Sequence, residues 1–285
     1  MRFMRSPAFA GQFYPKDAAL LKHLLDGFDA KVDAGKIGGA LDDRKVVAAV
    51  APHAGIAYSG QTAAWTYKAA AMSHAEKKAG QTLVFFSPNH TGAGEMCSLS
   101  VDDWETPLGK AENNVKAGRE MLAASKFLKM DDAAHAGEHS IEVQLPFAQY
   151  YFGANFSIVP ITVMQGENFL DVAHDLADAV IAAEKKLEQK FLVIASSDFT
   201  HYEPAKLARQ KDDEAIALIE RLDYEKFFEL VVTENRSICG FGPIVAAMVY
   251  AGKKGAKHGR LLHFSDSGEI TKENDVVDYA SIVFV

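Results

Sequence analysis

The sequence predicts an α/β fold, a three-layer sandwich in which helices cover both faces of a mostly parallel sheet. Short apolar runs alternate along the chain with amphipathic, helix-forming segments, and this alternation is typical of such a sheet. The 285 residues, 48% of them hydrophobic, are enough to bury one large core. Because no repeat, low-complexity tract or Pro/Ser-rich linker divides the sequence, we expect residues 1–285 to form one domain.

The predicted strands are short, apolar and rich in bulky residues, which distinguishes them from helices. They fall at residues 46–52, 82–88, 156–164, 190–197, 260–266 and 279–285. Pro160 lies within the third run and has no N–H to donate to a central ladder. The first, second and fourth runs are predicted to be buried.

The predicted helices occupy most of the intervening sequence. They fall at residues 61–72, 114–125, 170–188, 205–222 and 243–252, with a further helix after the N-cap candidate Asp223. Gly60 sits just ahead of the first helix. Residues 136–147 also have a helical pattern, which would place Glu138 and His139 at the start of a helix, although Pro146 falls inside that pattern.

Composition and charge exclude several classes of protein. The formal net charge is −8 and there is no basic block, so we expect no nucleic-acid partner. No run approaches the roughly 18–20 apolar residues of a membrane span, and the first residues lack the apolar segment of a signal peptide. Two cysteines, Cys97 and Cys239, cannot form a disulfide framework. We therefore expect a soluble cytoplasmic protein with reduced thiols.

Reactive side chains follow three of the predicted strands at their C-terminal ends. The strand at 46–52 runs into His53, the strand at 82–88 is followed by His90, and the strand at 190–197 is followed by Asp198 and His201. Ligands of open α/β sheets bind in the crevice beyond the carboxyl ends of the strands. We therefore expect these side chains to converge in one functional site.

Two further segments contribute candidates to this site. "AGEHSIEVQLPF" (136–147) contains Glu138, His139 and Glu142, and "RSICGFGP" (236–243) places Cys239 just before a predicted helix. The dipole of that helix is expected to favour the thiolate form of Cys239, which binds metals or attacks electrophiles. Cys97, in "EMCSLSV", is expected to be packed in the core.

The candidate side chains are compatible with two kinds of chemistry. Neutral imidazoles and a thiolate are ligands for zinc, iron or copper. A Cys/His nucleophilic dyad with Asp198 as the orienting acid uses the same residue types. Their long-range spacing does not choose between the two. The sequence contains no GxGxxG, GxxxxGK[ST] or GxSxG pattern, which argues against nucleotide-dependent and α/β-hydrolase chemistry.

Ordered motifs along the whole chain resemble those of the Memo family. These motifs are "SPAFAGQFYP", "APHAGIAYSG", "SPNHTG", "TPLG", "GEHSIEVQLPF", "SSDFTHYEP", "ICGFGPI" and "YASIVFV". The family is similar in fold to the LigB-type class III extradiol dioxygenases, which hold non-haem Fe(II) with two histidines and a glutamate. The resemblance implies a LigB-like α/β sandwich around a mostly parallel sheet.

The resemblance also implies roles for individual residues. His53 and His90 match the two histidine ligands, and Cys239 stands where the dioxygenases have their carboxylate. His201 and His139 match the histidines that act as acid or base and orient the substrate, and Asp198 belongs to the same pocket. A thiolate shifts metal preference toward copper(I), zinc or a more covalent iron site, and it is itself oxidisable. Non-haem iron is the expected cofactor, with copper or zinc as alternatives.

Three functions are compatible with this site. The leading hypothesis is a metal-dependent, iron-using oxidoreductase. The second is a non-catalytic scaffold that binds a small molecule or a phosphotyrosine-type peptide, and the third is a metal- or cysteine-dependent hydrolase. The resemblance further implies partnership with the radical-SAM and AMMECR-type proteins that accompany prokaryotic relatives. The substrate cannot be read from the sequence.

Overall fold

A computed structural model describes residues 3–75 and 80–285 of the chain. The strands are β1 (Met4–Arg5), β2 (Ala48–Ala51), β3 (Gln81–Pro88), β4 (Cys97–Leu99), β5 (Asp103–Thr106), β6 (Gly109–Ala111), β7 (Leu128–Met130), β8 (Phe156–Val163), β9 (Phe191–Ser196), β10 (His201–Pro204), β11 (Gly259–Asp266) and β12 (Asp275–Phe284). The helices are α1 (Ala18–Asp29), α2 (Ala34–Leu41), α3 (Ile56–Ser73), α4 (Val115–Ala124), α5 (Leu145–Phe152), α6 (Phe169–Leu187), α7 (Ala205–Glu220), α8 (Tyr224–Thr233), α9 (Phe241–Lys253) and α10 (Gly268–Thr271).

A nine-stranded sheet forms the middle of the sandwich. Its order is β10-β12-β2-β9-β3-β8-β4-β7, with β11 paired to β12. The four central strands β2, β9, β3 and β8 run parallel, whereas β12 lies antiparallel to β2 and β4 antiparallel to β8. The predicted α/β sandwich is confirmed, with a parallel centre and mixed flanks. A smaller sheet has the order β1-β5-β6.

Both faces of the central strands β2, β3 and β9 are buried, which explains why these strands read as continuous apolar runs. Along β3, Val84 and Phe86 point into one core, whereas Leu83 and Phe85 point into the other. Helices α4, α6, α7, α8 and α9 contribute to the first core, and helices α1, α2, α3 and α5 contribute to the second. No helix of the described ranges combines the length and apolarity needed to span a bilayer.

Pro160 lies in β8, and its missing N–H limits the pairing of β8 with β4. The N–H of Ser100 donates to the carbonyl oxygen of Pro160 at 3.1 Å, but proline cannot return the bond. Instead the carbonyl oxygen of Ser100 accepts from the side-chain amide of Asn113 at 2.9 Å. The asparagine side chain thus replaces a backbone donor where β4 ends.

The start of α3 differs from the prediction for a physical reason. The helix begins at Ile56, so Gly60 lies inside it rather than ahead of it. A Cβ atom on Gly60 would lie 2.4 Å from Cε2 of Phe28 in α1. Glycine is needed here because two helices pack closely, and it does not mark a helix boundary.

The predicted helix start near Glu138 and His139 is wrong. The chain forms 3₁₀ turns at Ala133–His135 and Glu142–Gln144 before α5 begins at Leu145. Pro146 therefore lies in the first turn of α5, where its missing N–H costs no helical hydrogen bond. Glu138 and His139 consequently lie ahead of the helix, on a segment that can face the sheet edge.

Candidate metal centre

The candidate metal centre lies where the central parallel strands end. His53 follows β2, His90 follows β3 and Asp198 follows β9, and these three strands are neighbours in the sheet. Cys239 approaches from the loop before α9. One ligand atom each from His53, His90 and Cys239 lies within 4.8 Å of the others. The structure thus brings together the three residues that were predicted as metal ligands.

The loop that carries Cys239 is held tightly against β9. A Cβ atom on Gly240 would lie 2.3 Å from the carbonyl oxygen of Ser196, so only glycine permits this approach. The side-chain Nε2 of Gln165 donates to the backbone carbonyl oxygen of Cys239. The side-chain Oε1 of Gln165 accepts the backbone N–H of Gly242 at 2.7 Å. Gln165 was not predicted as a site residue. Gln165 lies more than 70 residues before its partners in the sequence, so no local sequence pattern predicts these contacts.

The sulfur of Cys239 faces His53. Its Sγ lies 3.2 Å from Nε2 of His53 and accepts the backbone N–H of Asp198 at 3.2 Å. Burial and the nearby Asp198 carboxyl group raise the pKa of Cys239 well above its usual value. The expectation that the helix dipole favours a thiolate is therefore wrong for the metal-free protein. A bound metal would have to displace the thiol proton.

His53 is a buried, neutral imidazole. Its side chain is almost fully enclosed, and its Nδ1 lies 2.9 Å from the hydroxyl oxygen of Ser196. Burial, followed by the neighbouring His90 and His139, lowers the pKa of His53 well below its usual value. The neutral form is the one that binds metals.

His90 is held by the buried carboxylate of Glu138. The Glu138 oxygens accept the backbone N–H of His90 at 2.6 Å and its Nδ1–H at 3.0 Å. Burial alone would raise the pKa of Glu138. The hydrogen bonds that Glu138 accepts from His90 and from the N–H of Ser140 outweigh that effect and lower the pKa to about 2. A carboxylate that accepts Nδ1–H leaves the Nε2 lone pair available to a metal, as is common at histidine metal sites.

His139 lies against His90 on the same side of the centre. The two rings stack with centroids 4.8 Å apart, and the ring of Phe13 lies 4.5 Å from His139. Nδ1 of His139 is 3.4 Å from Oε1 of Glu138. Burial, partly offset by Glu138, lowers the pKa of His139 to about 4. His139 is therefore neutral at pH 7 and able to accept a proton.

A buried carboxylate, Glu142, fixes the N-terminal segment that packs on His139. It forms an ion pair with Arg5 and accepts the N–H of Phe9 at 2.8 Å and the hydroxyl of Tyr14 at 2.6 Å. The ring of Phe9 then lies 5.5 Å from that of His139. The motifs around residues 9 and 142 were visible in the sequence, but their contact was not.

Asp198 supports the loop of His53 from the other side. Its Oδ1 accepts the backbone N–H groups of His53 at 2.8 Å and Ala54 at 3.3 Å, and its Oδ2 lies 4.0 Å from Nε2 of His53. Burial raises the pKa of Asp198, and these hydrogen bonds oppose the rise. Asp198 therefore organises the backbone of the site in addition to lining it.

His201 completes the site near Cys239. Its Nδ1 lies 2.6 Å from the carbonyl oxygen of Phe199 and 2.8 Å from that of Ser237. Carbonyl oxygens only accept, so Nδ1 carries a proton, and in the neutral ring the lone pair is on Nε2. Asp198, His201 and Cys239 form a second group whose ligand atoms lie within 4.8 Å of one another. Sγ of Cys239 belongs both to this group and to the group formed with His53 and His90.

Cys97, the other cysteine, lies away from these groups. It is fully buried in the core on β4, and burial raises its pKa to about 12. The prediction that Cys97 is a packed core residue is confirmed.

Comparison with known proteins identifies close relatives along the whole chain. A family model described as "Memo-like protein" matches residues 5–283. A MEMO1 family protein of Thermoplasma acidophilum is 40% identical over 283 residues, covering 99% of this chain and 98% of its own length. One of Methanosarcina barkeri is 42% identical over 284 residues, covering 98% and 99%.

A solved structure supports the fold independently of the sequence. The crystal structure of an uncharacterised protein from Escherichia coli K12 superposes with a TM-score of 0.50. The match covers 85% of this chain and 100% of that chain at 11% sequence identity. At this identity the likeness concerns the fold alone.

Proposed function

Because the chain belongs to the Memo family, we propose that it is a metal-dependent oxidoreductase that binds non-haem iron through His53, His90 and Cys239. The observation that carries the proposal is the convergence of three ligand atoms within 4.8 Å at the carboxyl ends of parallel strands. The substrate is undefined. Copper and zinc are the alternatives against which iron is to be tested.

The donor set fits a first-row transition metal. His90 gives its Nδ1 proton to Glu138, which leaves Nε2 for coordination. Two imidazoles and a sulfur suit iron, copper and zinc, and three protein ligands leave a coordination position open. Iron and copper change oxidation state whereas zinc does not, so a site in which the metal itself carries the electrons requires one of the first two. When bound, the metal supplies the redox capacity that the side chains lack.

The remaining side chains of the site can move protons and position groups. His139 has a pKa of about 4, so its ring is neutral near pH 7 and holds a lone pair, but it is a weaker base than an ordinary histidine. Nδ1 of His201 donates to two backbone carbonyl oxygens, so in the neutral ring the lone pair is on Nε2. Asp198 holds the backbone of His53 and so keeps that ligand in place. We assign proton transfer to His201 and His139 and support of the site to Asp198.

The decisive experiment measures metal content and redox activity in the same preparations. Untagged protein is loaded anaerobically with Fe(II), desalted and analysed for metals, and oxygen consumption is followed with ascorbate as the reductant. Wild type and the Cys97→Ser control are expected to retain iron and consume oxygen, whereas Cys239→Ser loses both. Iron retained at wild-type levels by Cys239→Ser would overturn the metal assignment. Oxygen consumption no greater than that of free Fe(II) would overturn the redox assignment.

One observation favours a cysteine-dependent hydrolase as a second candidate: Sγ of Cys239 lies 3.2 Å from Nε2 of His53. The electrostatics oppose it. Burial raises the pKa of Cys239 and lowers that of His53, so both groups are neutral rather than an ion pair. In a nucleophilic triad the acid orients the far nitrogen of the imidazole. Here Ser196 occupies that position, and Asp198 contacts the backbone of His53 instead.

A further inference from the structure

We propose that Ser196 is a positioning residue that fixes the tautomer of His53 and thereby directs its Nε2 lone pair into the candidate metal centre. This inference rests on the proposed function only for its effect on metal binding, because the tautomer itself is a property of the metal-free protein. Ser196 is the last residue of β9 and is fully buried. Its hydroxyl oxygen contacts three groups, and counting protons among them determines the tautomer.

The hydroxyl group of Ser196 has one proton to give. The carbonyl oxygen of Ser140, 2.7 Å away, can only accept, so it takes that proton. The side-chain nitrogen of Gln144, 2.8 Å away, can only donate, and the serine oxygen is the nearest of its three acceptors, so one of its two hydrogens points there. The third contact is Nδ1 of His53 at 2.9 Å, which must therefore donate as well. His53 is assigned the Nδ1–H tautomer.

The assignment depends on the orientation of the Gln144 amide, which the surroundings define. Its Oε1 accepts the hydroxyl of Tyr67 at 2.9 Å. Its Nε2 faces the backbone carbonyl oxygens of Ala51 and Pro52, each at 3.1 Å, in addition to Ser196. A flipped amide would set an oxygen against two carbonyl oxygens in a buried place, which is strongly unfavourable. The amino group of Gln144 therefore faces Ser196.

The tautomer determines what His53 presents to the centre. With the proton on Nδ1, the Nε2 lone pair faces Sγ of Cys239 at 3.2 Å, and the thiol of Cys239 can donate to it. The opposite tautomer would point an N–H at the position that a metal needs. His90 reaches the same state through the anionic Glu138, whereas His53 does so through a neutral hydroxyl group. Ser196 thus orients a ligand without adding negative charge to the site.

The variant Ser196→Ala removes the acceptor of the His53 Nδ1–H. We expect His53 to lose its uniform Nδ1–H tautomer and metal affinity to fall about 10- to 100-fold, the usual effect of removing a group that orients a ligand. Ser87→Ala is the matched control. Ser87 is a buried serine of β3 whose hydroxyl lies 3.4 Å from the backbone carbonyl oxygen of Ile161.

The test is long-range ¹H–¹⁵N correlation spectroscopy of metal-free protein labelled with [¹⁵N]histidine. The His53 signals are assigned by their absence in His53→Gln. Wild type and Ser87→Ala are expected to show a protonated Nδ1 and an unprotonated Nε2, and Ser196→Ala a mixture or the opposite form. The wild-type spectrum needs no variant, so the inference is testable even if Ser196→Ala fails to fold.

Zn(II) affinity, measured by competition with a chromophoric chelator, supplies the second readout. A protonated Nε2 on His53 in wild type would overturn the inference, as would unchanged tautomer and affinity in folded Ser196→Ala. If wild type binds no metal but shows the Nδ1–H form, and Ser196→Ala changes it, the metal proposal fails while the tautomer assignment holds. The two failures are therefore distinguishable.

Discussion

Glu138 holds His90 at two points, through the backbone N–H at 2.6 Å and through Nδ1 of the ring at 3.0 Å. One buried carboxylate thus fixes both the loop that follows β3 and the rotation of the imidazole. A ligand histidine on a loop needs such a restraint, because a small rotation would carry Nε2 away from Cys239. The first prediction tests this restraint.

Glu138→Gln is expected to weaken metal binding about 10- to 100-fold, because a neutral amide accepts the Nδ1–H less strongly and its NH₂ group can instead donate to an unprotonated Nδ1. The measurement is a competition titration with Zn(II) or anaerobic Fe(II). Glu95→Gln, at an exposed site in the loop that follows His90, is the control and should bind as wild type. Equal affinity for wild type and Glu138→Gln would contradict the role given to the carboxylate.

The two cysteines are expected to differ in reactivity. Cys239 is partly exposed whereas Cys97 is fully buried, so iodoacetamide should modify Cys239 first. Because burial raises the pKa of both thiols, the reaction should be slow at pH 7 and accelerate with pH. A bound metal should protect Cys239. Peptide mapping by mass spectrometry checks the order, and earlier modification of Cys97 would contradict it.

Removing a ligand and removing a flanking histidine should affect thermal stability differently. A metal that binds only the folded state adds about 2.7 kcal/mol at a hundredfold excess over Kd. His90→Ala should lose this increment, and it should also destabilise the metal-free protein by about 1–3 kcal/mol because Glu138 loses a partner for its buried charge. His201→Ala should retain most of the increment. The measurement is anaerobic thermal unfolding with and without Fe(II). A metal increment that survives in His90→Ala would identify His90 as purely structural.

A buried carboxyl pair outside the candidate centre predicts how stability depends on pH. Asp212 and Asp278 are both about 1% exposed, and Thr200 donates its N–H and its hydroxyl to Asp212. Burial and the neighbouring Asp212 raise the pKa of Asp278 to about 9, with Asp266 adding to the rise and Arg209 opposing it. In the unfolded chain the same group titrates near 3.9, approximately the reference value.

The folded state therefore keeps a proton that the unfolded chain has lost between about pH 4 and pH 9. Its stability should fall as pH rises through this window, by at most about 1.4 kcal/mol per pH unit for one group. Asp278→Asn stays neutral, so it should flatten this slope and stabilise the protein at pH 8 relative to wild type. Urea unfolding of both proteins at pH 5 and pH 8 makes the comparison. A variant that is destabilised equally at both pH values would contradict the assignment of a retained proton to Asp278.

The parts of the site that the sequence predicted are those with a local signal. His53, His90 and Asp198 each follow an apolar run, and parallel strands necessarily end at one edge of the sheet. Such runs are visible because both faces of the central sheet are buried, so the middle of β3, residues 83–86, is entirely apolar. The very short strands β4 to β7 carry too few residues to produce such a pattern.

The parts that the sequence did not predict depend on contacts between distant segments. Nothing in the sequence distinguishes Ser196 from the other serines, and only the structure shows its contacts with His53 and Gln144. Gly60 has the appearance of a helix boundary until Phe28 is seen to occupy the space of its missing side chain. Neither residue type nor spacing along the sequence predicts these contacts between distant residues.

The wide separation of the site residues along the chain has a consequence for biosynthesis. Cys239 lies 186 residues after His53, and the ion pair of Arg5 with Glu142 spans 137 residues. His53 and His90 are therefore synthesised long before Cys239. Likewise, Glu142, which binds the N-terminal segment, is added only about halfway through translation. The entropy of closing such loops must be overcome before the contacts form. A metal that is bound by all three proposed ligands can therefore bind only after Cys239 has been added to the chain.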